Sequence, residues 1–486
     1  MYLGIDLGTS SIKLILLDEQ QNILAQHSEP LSISHPKPLW SEQNPDEWWQ
    51  ATCRGVQQLK KHYNTAFSAL KAIGLAGQQH GATLLNASDD ILRPAMLWND
   101  GRAFAECKTL AAKIASHAKI TGNRIMPGFT APKIVWVAKH EPDIFKQLAK
   151  VLLPKDFLRL KITGEYATDM SDAAGTMWLD TYARDWSDDM LNACGLTRKH
   201  MPTLFEGSDI TGTVTADIAS SWGISPQTMV VGGAGDNPAG AISVNVIQSG
   251  SAFLSLGTSG VFFVASDTYQ ANPKDGLHTF CHCIPDYWHH MSVHLSSASC
   301  VSWLAATLNE SDANRLMAEV VLDIDSKSSV IFLPYLSGER TPHNNPHAQA
   351  VFFGMTHATT RADLTRAVLE GVAFAFADGQ DAITQAGIKI NDVSVVGGGS
   401  QNVVWGDILA SVLQRPLIYR SNRDIGAALG AARLAWLGIN RCDPQSAFVS
   451  PPIEKIIEPN TEKIDFYAEK RQKFQKLYHC VEDLFV

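Results

Sequence analysis

The sequence predicts an α/β protein built from two related domains that face each other across a cleft, and three observations carry that reading. The first is an internal repeat: "IDLGTSSIKLILLD" (Ile5 to Asp18) aligns without gaps to "LSLGTSGVFFVASD" (Leu254 to Asp267), about half the chain further on. An identical LGTS between two apolar arms at that separation points to a duplicated strand-turn-strand unit. The second is the alternation of strand-like runs with amphipathic helical stretches, which α/β domains require. The third is that further strands end in glycine turns, at "KAIGLAGQQHG", "TMVVGGAGDNPAG" and "DVSVVGGGSQN", where the backbone can come close to a ligand. The offset of the repeat makes each domain about half the chain.

Within the first domain, "NPDEWWQATCRGVQQLKKHY" begins with Asn44 as N-cap, Pro45 at the first helical position and Glu47 where a capping box wants it. Trp48 and Trp49 on this helix are core or interface aromatics. Towards the end of the chain, the proline-rich "SPPIEKIIEPN" reads as a connector. The stretch from Glu462 to Phe485 reads as an amphipathic helix that packs back through Tyr467, Phe474, Leu477, Val481 and Phe485.

Composition excludes several classes of function. The 486 residues are 45% hydrophobic, with 40 Lys and Arg against 49 Asp and Glu, a formal charge of −9. With no long basic run, the footprint of a nucleic-acid binder is missing, and any bound anion must be held locally. No apolar stretch approaches the roughly eighteen residues of a membrane span, and Asp6 interrupts what a signal peptide would keep apolar, so a cytoplasmic protein is expected. The eight cysteines lack a framework spacing and are expected as reduced thiols. Their densest group lies in "HTFCHCIPDYWHHMSVH" (His278 to His294). Cys281 and Cys283 have no second pair at zinc spacing, and strand alternation sets His282 opposite both, so a histidine-rich sheet segment is favoured over a zinc site.

The repeated turn carries chemistry. A phosphate needs several backbone N–H groups converging on it, which glycine permits, and Thr or Ser hydroxyls add donors. "LGTSS" and "LGTSG" both supply that, yet neither is a Walker A loop, because no GxxxxGK[ST] occurs and each turn leads into a strand. One such turn is weak evidence. Two of them suggest a nucleotide polyphosphate gripped between two domains. Asp6 in the first copy is Ser255 in the second, so only the first supplies a carboxylate.

Together these segments resemble the ribonuclease H-like domain pair of the actin, Hsp70 and sugar-kinase superfamily. "GFTAPKIVWVAKHEP" (Gly128 to Pro142) and "GERTPHNNPHAQAVFFGMTHATTRADLTRAVLEGVAFAF" (Gly338 to Phe376) resemble the two long signatures of the FGGY carbohydrate kinases, and the similarity covers nearly the whole chain. Within the family, "PLWSEQNPDEWW", "HGATLL", "LRPAMLWNDGR" and "FLPYLSGERTPHNNP" resemble the members that act on D-xylulose.

The resemblance implies transfer of the γ-phosphoryl group of ATP, with Mg2+, to a hydroxyl of D-xylulose. A kinase for another ketose or polyol (ribulose, glycerol or gluconate) and a non-catalytic ATP-binding sensor are the alternatives. It implies Asp236, in "GGAGDNPAG", as the general base; on its own, the segment also fits Asn237 capping a helix, with the dipole holding Asp236 ionised. Asp6 and Asp236 are implied at the Mg2+, Asp6 through water. Gly8, Thr9, Ser10 and Lys13 match positions along the phosphates, Gly257 and Thr258 the second phosphate turn, and Gly398 and Asn402 positions beside the α-phosphate and adenosine. For the sugar, Gln79 and His80 would bond hydroxyls, Trp98 cover the carbon skeleton and Asp100 add an acceptor. Gln79 departs from the Met usual there, which changes the polarity of the pocket and so bears on which sugar fits. Many relatives are dimers, but no patch in this sequence is assignable to a partner.

Overall fold

The computed structural model describes residues 1–320, 328–421 and 426–485. Two seven-stranded sheets organise them. The first opens with strands β1 (Tyr2–Leu7), β2 (Ser11–Leu17) and β3 (Ile23–Pro30), then helix α1 (Pro45–Ser68) and strand β4 (Ala72–Gly77). A long excursion containing α2 (Thr130–His140) and α3 (Met170–Ala174) follows. The chain returns through β5 (Ile210–Thr213), β6 (Met229–Val231) and β7 (Ala234–Gly235), and leaves by α4 (Asp236–Ser243). The second sheet begins with β8 (Ser251–Leu256), β9 (Gly260–Ser266), β10 (His278–Cys281) and β11 (Trp288–His294). Helices α5 (Ala298–Thr307) and α6 (Arg361–Gln385) lead to β12 (Asp392–Val396), α7 (Val403–Leu413), β13 (Leu417–Arg420), α8 (Ala427–Asn440), β14 (Ile453–Ile457) and α9 (Ile464–Val481).

The two sheets repeat one another strand by strand. Across β3-β2-β1-β4-β6-β5 the pairings run antiparallel, antiparallel, parallel, parallel, antiparallel. Across β11-β9-β8-β12-β13-β14 the same succession recurs. The duplication expected from the LGTS repeat therefore extends to the whole ribonuclease H-like sheet. The central strands β1 and β4 are almost continuously apolar because both faces of the sheet are covered.

One of those covers comes from the far end of the chain. Helix α8 lies so close on the first sheet that a Cβ added to Gly4 would come within 2.0 Å of the Ala428 carbonyl oxygen, and one on Gly74 within 1.9 Å of that of Ala431. Tyr2, Ile15, Ala72 and Ala76 share a single core with Ala427, Ala431, Leu434 and Phe448.

Local expectations fared unevenly. Asn44 caps α1 by accepting from the Asp46 amide at 3.1 Å, with Pro45 at the first position. Glu47 closes no capping box; its carboxylate takes the Ser32 amide at 3.3 Å instead. The helix kinks at Tyr63, where the sequence segment ended, and continues to Ser68. Residues 453–457 of the supposed connector form β14, because Pro451 and Pro452 precede the strand and Pro459 follows it, so no proline interrupts the pairing. In α9, Tyr467, Phe474 and Leu477 are buried and Val481 and Phe485 pack against the same core. His282 falls in the turn after β10, not on the strand that the alternation argument used. Burial holds the rings of His278, His282 and His290 neutral, with pKa values pushed down to about 3. Among the described residues no three His, Cys, Asp or Glu side chains are grouped to hold a metal, and no helix is long and apolar enough to cross a membrane. All eight cysteines are unpaired.

Candidate active site

The first sheet brings two carboxylates to one end. Asp6 sits opposite Lys13 in the β1-β2 hairpin and opposite Ala76 on β4. Ala234 of β7 flanks Ala76 from the other side, so Asp236, two residues later, emerges at the same edge as Asp6 with one strand between them. Asp236 opens α4 and its Oδ1 accepts the Asn237 amide at 2.8 Å and the Asn237 side-chain N–H at 3.0 Å. Asn237 is thus a donor to Asp236 and not the helix cap. Burial nevertheless wins over these bonds and over the helix dipole, and pushes the Asp236 pKa up to about 6. Asp6 is pushed further, to about 7, by burial and then by the charge of Asp236, against the pull of Lys13. Its Oδ1 is buried with no hydrogen-bond partner among the described residues.

A buried network stands behind Asp236. The Gly235 amide donates to Ser171 Oγ at 3.2 Å, and Ser171 Oγ in turn donates to Asp169, which Lys155 holds at 2.9 Å. Gln79 is wedged against this frame: a Cβ on Gly235 would lie 2.6 Å from its amide, and Gln79 Nε2 donates inward to the Ser171 carbonyl at 3.2 Å. One of its two amide N–H groups is therefore turned to the protein, whereas the sequence reading had Gln79 bonding a sugar hydroxyl.

His80 adopts a left-handed backbone (φ 68°) and donates Nδ1–H to the Gly175 carbonyl at 2.7 Å, which leaves Nε2 as an acceptor. Burial keeps the ring neutral. Its own carbonyl accepts Lys133 Nζ at 2.8 Å, and Phe129 packs edge-on at 4.8 Å. Phe280 of β10 lies 6.0 Å from the same ring, so the second half of the chain also walls this pocket.

Two residues do other work than expected. The Thr9 hydroxyl donates to Gln78 Oε1 at 3.2 Å and accepts the Trp98 indole N–H at 3.0 Å, so it ties the hairpin to Trp98, where the sequence reading had it along the phosphates. Gln78 is held by Gln43, which also accepts from Trp48 and donates to the Thr9 carbonyl. Asp100 is buried, with its oxygens taken by the Ser41 amide and the Arg102 guanidinium. Both of its oxygens are engaged within the protein, where the sequence reading had Asp100 offering an acceptor to the sugar. Neither Gln43 nor Gln78 stood out in the sequence, since an isolated Gln carries no periodicity or spacing signal.

The remaining positions are open. Gly8 closes its turn by donating to the Ser11 carbonyl at 3.1 Å, and Ser10 and Lys13 are exposed. At the second turn, the carbonyls of Gly257 and Thr258 accept the Ala298 and Ser297 amides at 2.9 and 3.0 Å, which braces it on the start of α5 with Thr258 exposed. A Cβ on Gly398 would meet nothing within 4 Å, leaving bare backbone for a ligand. Asn402 caps α7 by accepting the Trp405 amide at 3.0 Å.

Comparison with known proteins decides the family. Residues 1–243 match the N-terminal domain of the FGGY family of carbohydrate kinases, and residues 252–439 its C-terminal domain. The chain belongs to the FGGY carbohydrate kinases. It is 50% identical over 482 residues to the xylulose kinase of Escherichia coli K12, covering 98% of each chain. The solved structure of a "xyloylose kinase" from Brucella ovis superposes with a TM-score of 0.96 at 45% identity, covering 99% of both chains. That of the Rhodospirillum rubrum xylulose kinase gives 0.91 at 28% identity, over 100% of this chain and 99% of the other. In this FGGY kinase, then, the two poised carboxylates and the His80 pocket lie in the half that matches the family's N-terminal domain.

Proposed function

We propose that this kinase transfers the terminal phosphoryl group of ATP to D-xylulose, giving D-xylulose 5-phosphate, with Asp236 as general base. The observation that carries the chemistry is the pair of acids at one sheet end, Asp236 at about 6 and Asp6 at about 7. A carboxylate at about 6 is ionised at neutral pH yet basic enough to take the proton of an attacking hydroxyl. The choice of sugar is supported by the identity to xylulose kinases over almost the full chain.

In this reading, His80 Nε2 accepts from a sugar hydroxyl and Trp98, fixed by Thr9, lies along the carbon chain. Gln79, Ser171 and Asp100 act as positioning residues behind those groups. The Gly8 turn, Ser10 and Lys13 face the phosphates from one side; Gly257, Thr258, Gly398 and Asn402 take the nucleotide from the other. Residues 1–243 and 244–486 are the two domains, working in the cytoplasm. The unpartnered, buried Oδ1 of Asp6 beside a second acid fits a divalent cation with hard oxygen ligands, which is the chemistry of Mg2+. When bound, that ion neutralises phosphate charge; Asp6 and Asp236 would hold it, with water and phosphate oxygens completing its shell.

The test is ADP release from MgATP across a panel of D-xylulose, D-ribulose, glycerol and gluconate. D-xylulose should give the highest kcat/KM. A preference for another acceptor would reject the substrate, and ATP turnover indifferent to every sugar would reject the kinase reading.

A further inference from the structure

We propose that Arg340 binds the acceptor sugar, donating guanidinium N–H groups to its oxygens from the half of the chain opposite His80 and Trp98. This rests on the sugar-kinase reading above and adds a contact from the second half.

Arg340 lies in the "GERTP" segment, and its neighbours in sequence are both tied to the second sheet. Glu339 Oε1 accepts the amides of Leu295 at 3.1 Å and of Arg340 itself at 2.7 Å. Thr341 Oγ1 donates to the Gly276 carbonyl at 3.1 Å and accepts the Val293 amide at 3.1 Å. With Glu339 2% and Thr341 0% exposed, the backbone between them has little freedom. The side chain projects from this anchored loop into the pocket. Its Cζ stands 6.0 Å from the centre of the Trp98 ring, and Nη2 lies 3.1 Å from where a Cβ on Gly128 would be. Its charge is felt at His80, Lys133 and His278.

What singles it out is the want of a partner. Among the described residues its guanidinium makes no ion pair and no hydrogen bond, and Glu339, the one acid acting on it, is engaged with the two amides and faces His294. A cation drawn partly out of water, with Lys133 nearby and the Glu339 carboxylate engaged elsewhere, is destabilising unless something supplies acceptors. An open-chain ketose does so: its hydroxyl and carbonyl oxygens match a planar fork of five donors. The surroundings are those of the sugar segments: Trp98 and Gly128 by distance, and His80 through its response to the charge. Because His80 and Trp98 come from the first half, the contact makes the sugar a bridge between the halves.

Arg340→Met and Arg340→Lys test this. For Arg340→Met, the KM for D-xylulose and the Kd for D-xylulose without nucleotide, read by calorimetry, should both rise at least about tenfold, the loss expected when a charged donor is removed from a polar ligand. The KM for ATP should stay within about twofold, Tm should not fall, and Arg340→Lys should recover part of the affinity. An unchanged sugar Kd, or a fall in Tm with both KM values moving together, would overturn the proposal in favour of a structural role. The wild-type sugar panel separates this from the reading it rests on. Should the enzyme prefer another sugar, the substrate assignment fails, while the same KM and Kd comparison on that sugar still decides Arg340.

Discussion

The hairpin at Leu7–Ser11 and its counterpart at Leu256–Gly260 share a backbone and a tetrapeptide, yet their strands carry different chemistry. On the first, Asp6 faces Lys13; on the second, Ser255 faces Val261. The first turn is tied sideways, Thr9 to Gln78 and Trp98, whereas the second is braced through its own carbonyls on α5 and leaves Thr258 exposed. Duplication thus copied a way of presenting backbone N–H groups, and the charged groups were placed on one copy only. Asp6 and Asp236 both lie in the first half, while the second hairpin carries neutral side chains at the matching positions.

The sharpest break in that asymmetry is Asp236→Asn, which keeps the shape and removes the base; turnover should fall by about 10²–10⁴ in a steady-state assay. Next is an exchange, Asp6→Ser with Ser255→Asp, which moves the acid to the other hairpin. Turnover should drop by about 10² or more and be no better than in Asp6→Ser alone, since position relative to Asp236 matters, not mere possession of a carboxylate. Recovery in the double variant would show the hairpins to be interchangeable.

The pH profile follows from the same pair. Both pKa values lie above the ordinary 3.8, so the active, ionised forms are lost as pH falls. The profile of kcat/KM should rise through about pH 6 to 7 and fall about tenfold per unit below that, more steeply where both acids are protonated. A limb near pH 4 would mean that a cation held by the pair, and not burial, sets their titration during turnover. Lys13→Val copies the second hairpin, and because Lys13 holds the Asp6 pKa down it should move this limb upward by a fraction of a unit. Smallest is the contrast of Thr9→Val with Thr258→Val: the first should raise the KM for sugar about five- to tenfold by loosening Trp98, the second only the KM for ATP, about twofold.

What the sequence disclosed is whatever repeats or is local. The LGTS repeat was enough to expect two related α/β domains, and Asn44 with Pro45 marked a helix start correctly. Partnerships across distance were hidden: the Thr9 hydroxyl finds Gln78, and Gln78 finds Gln43, only after folding, and no spacing announces such a triad. Asp100 with Arg102, two residues apart, could have been weighed as a pair. The dipole argument for Asp236 had the right sign for a helix start but could not include burial, which depends on how α4 and its neighbours pack. Arg340 sat within a quoted signature, where its lack of a counter-charge is visible only in three dimensions.

The contact of α8 with Gly4 and Gly74 bears on how the chain can be divided. The polypeptide reads as two copies, but residues 1–243 expressed alone would leave Tyr2, Ile15 and Ala72 wet on a sheet face grooved for a helix that has not been translated. Such a fragment should aggregate or stay unfolded until residues 427–440 are supplied, an outcome that would make the two halves symmetric without being autonomous.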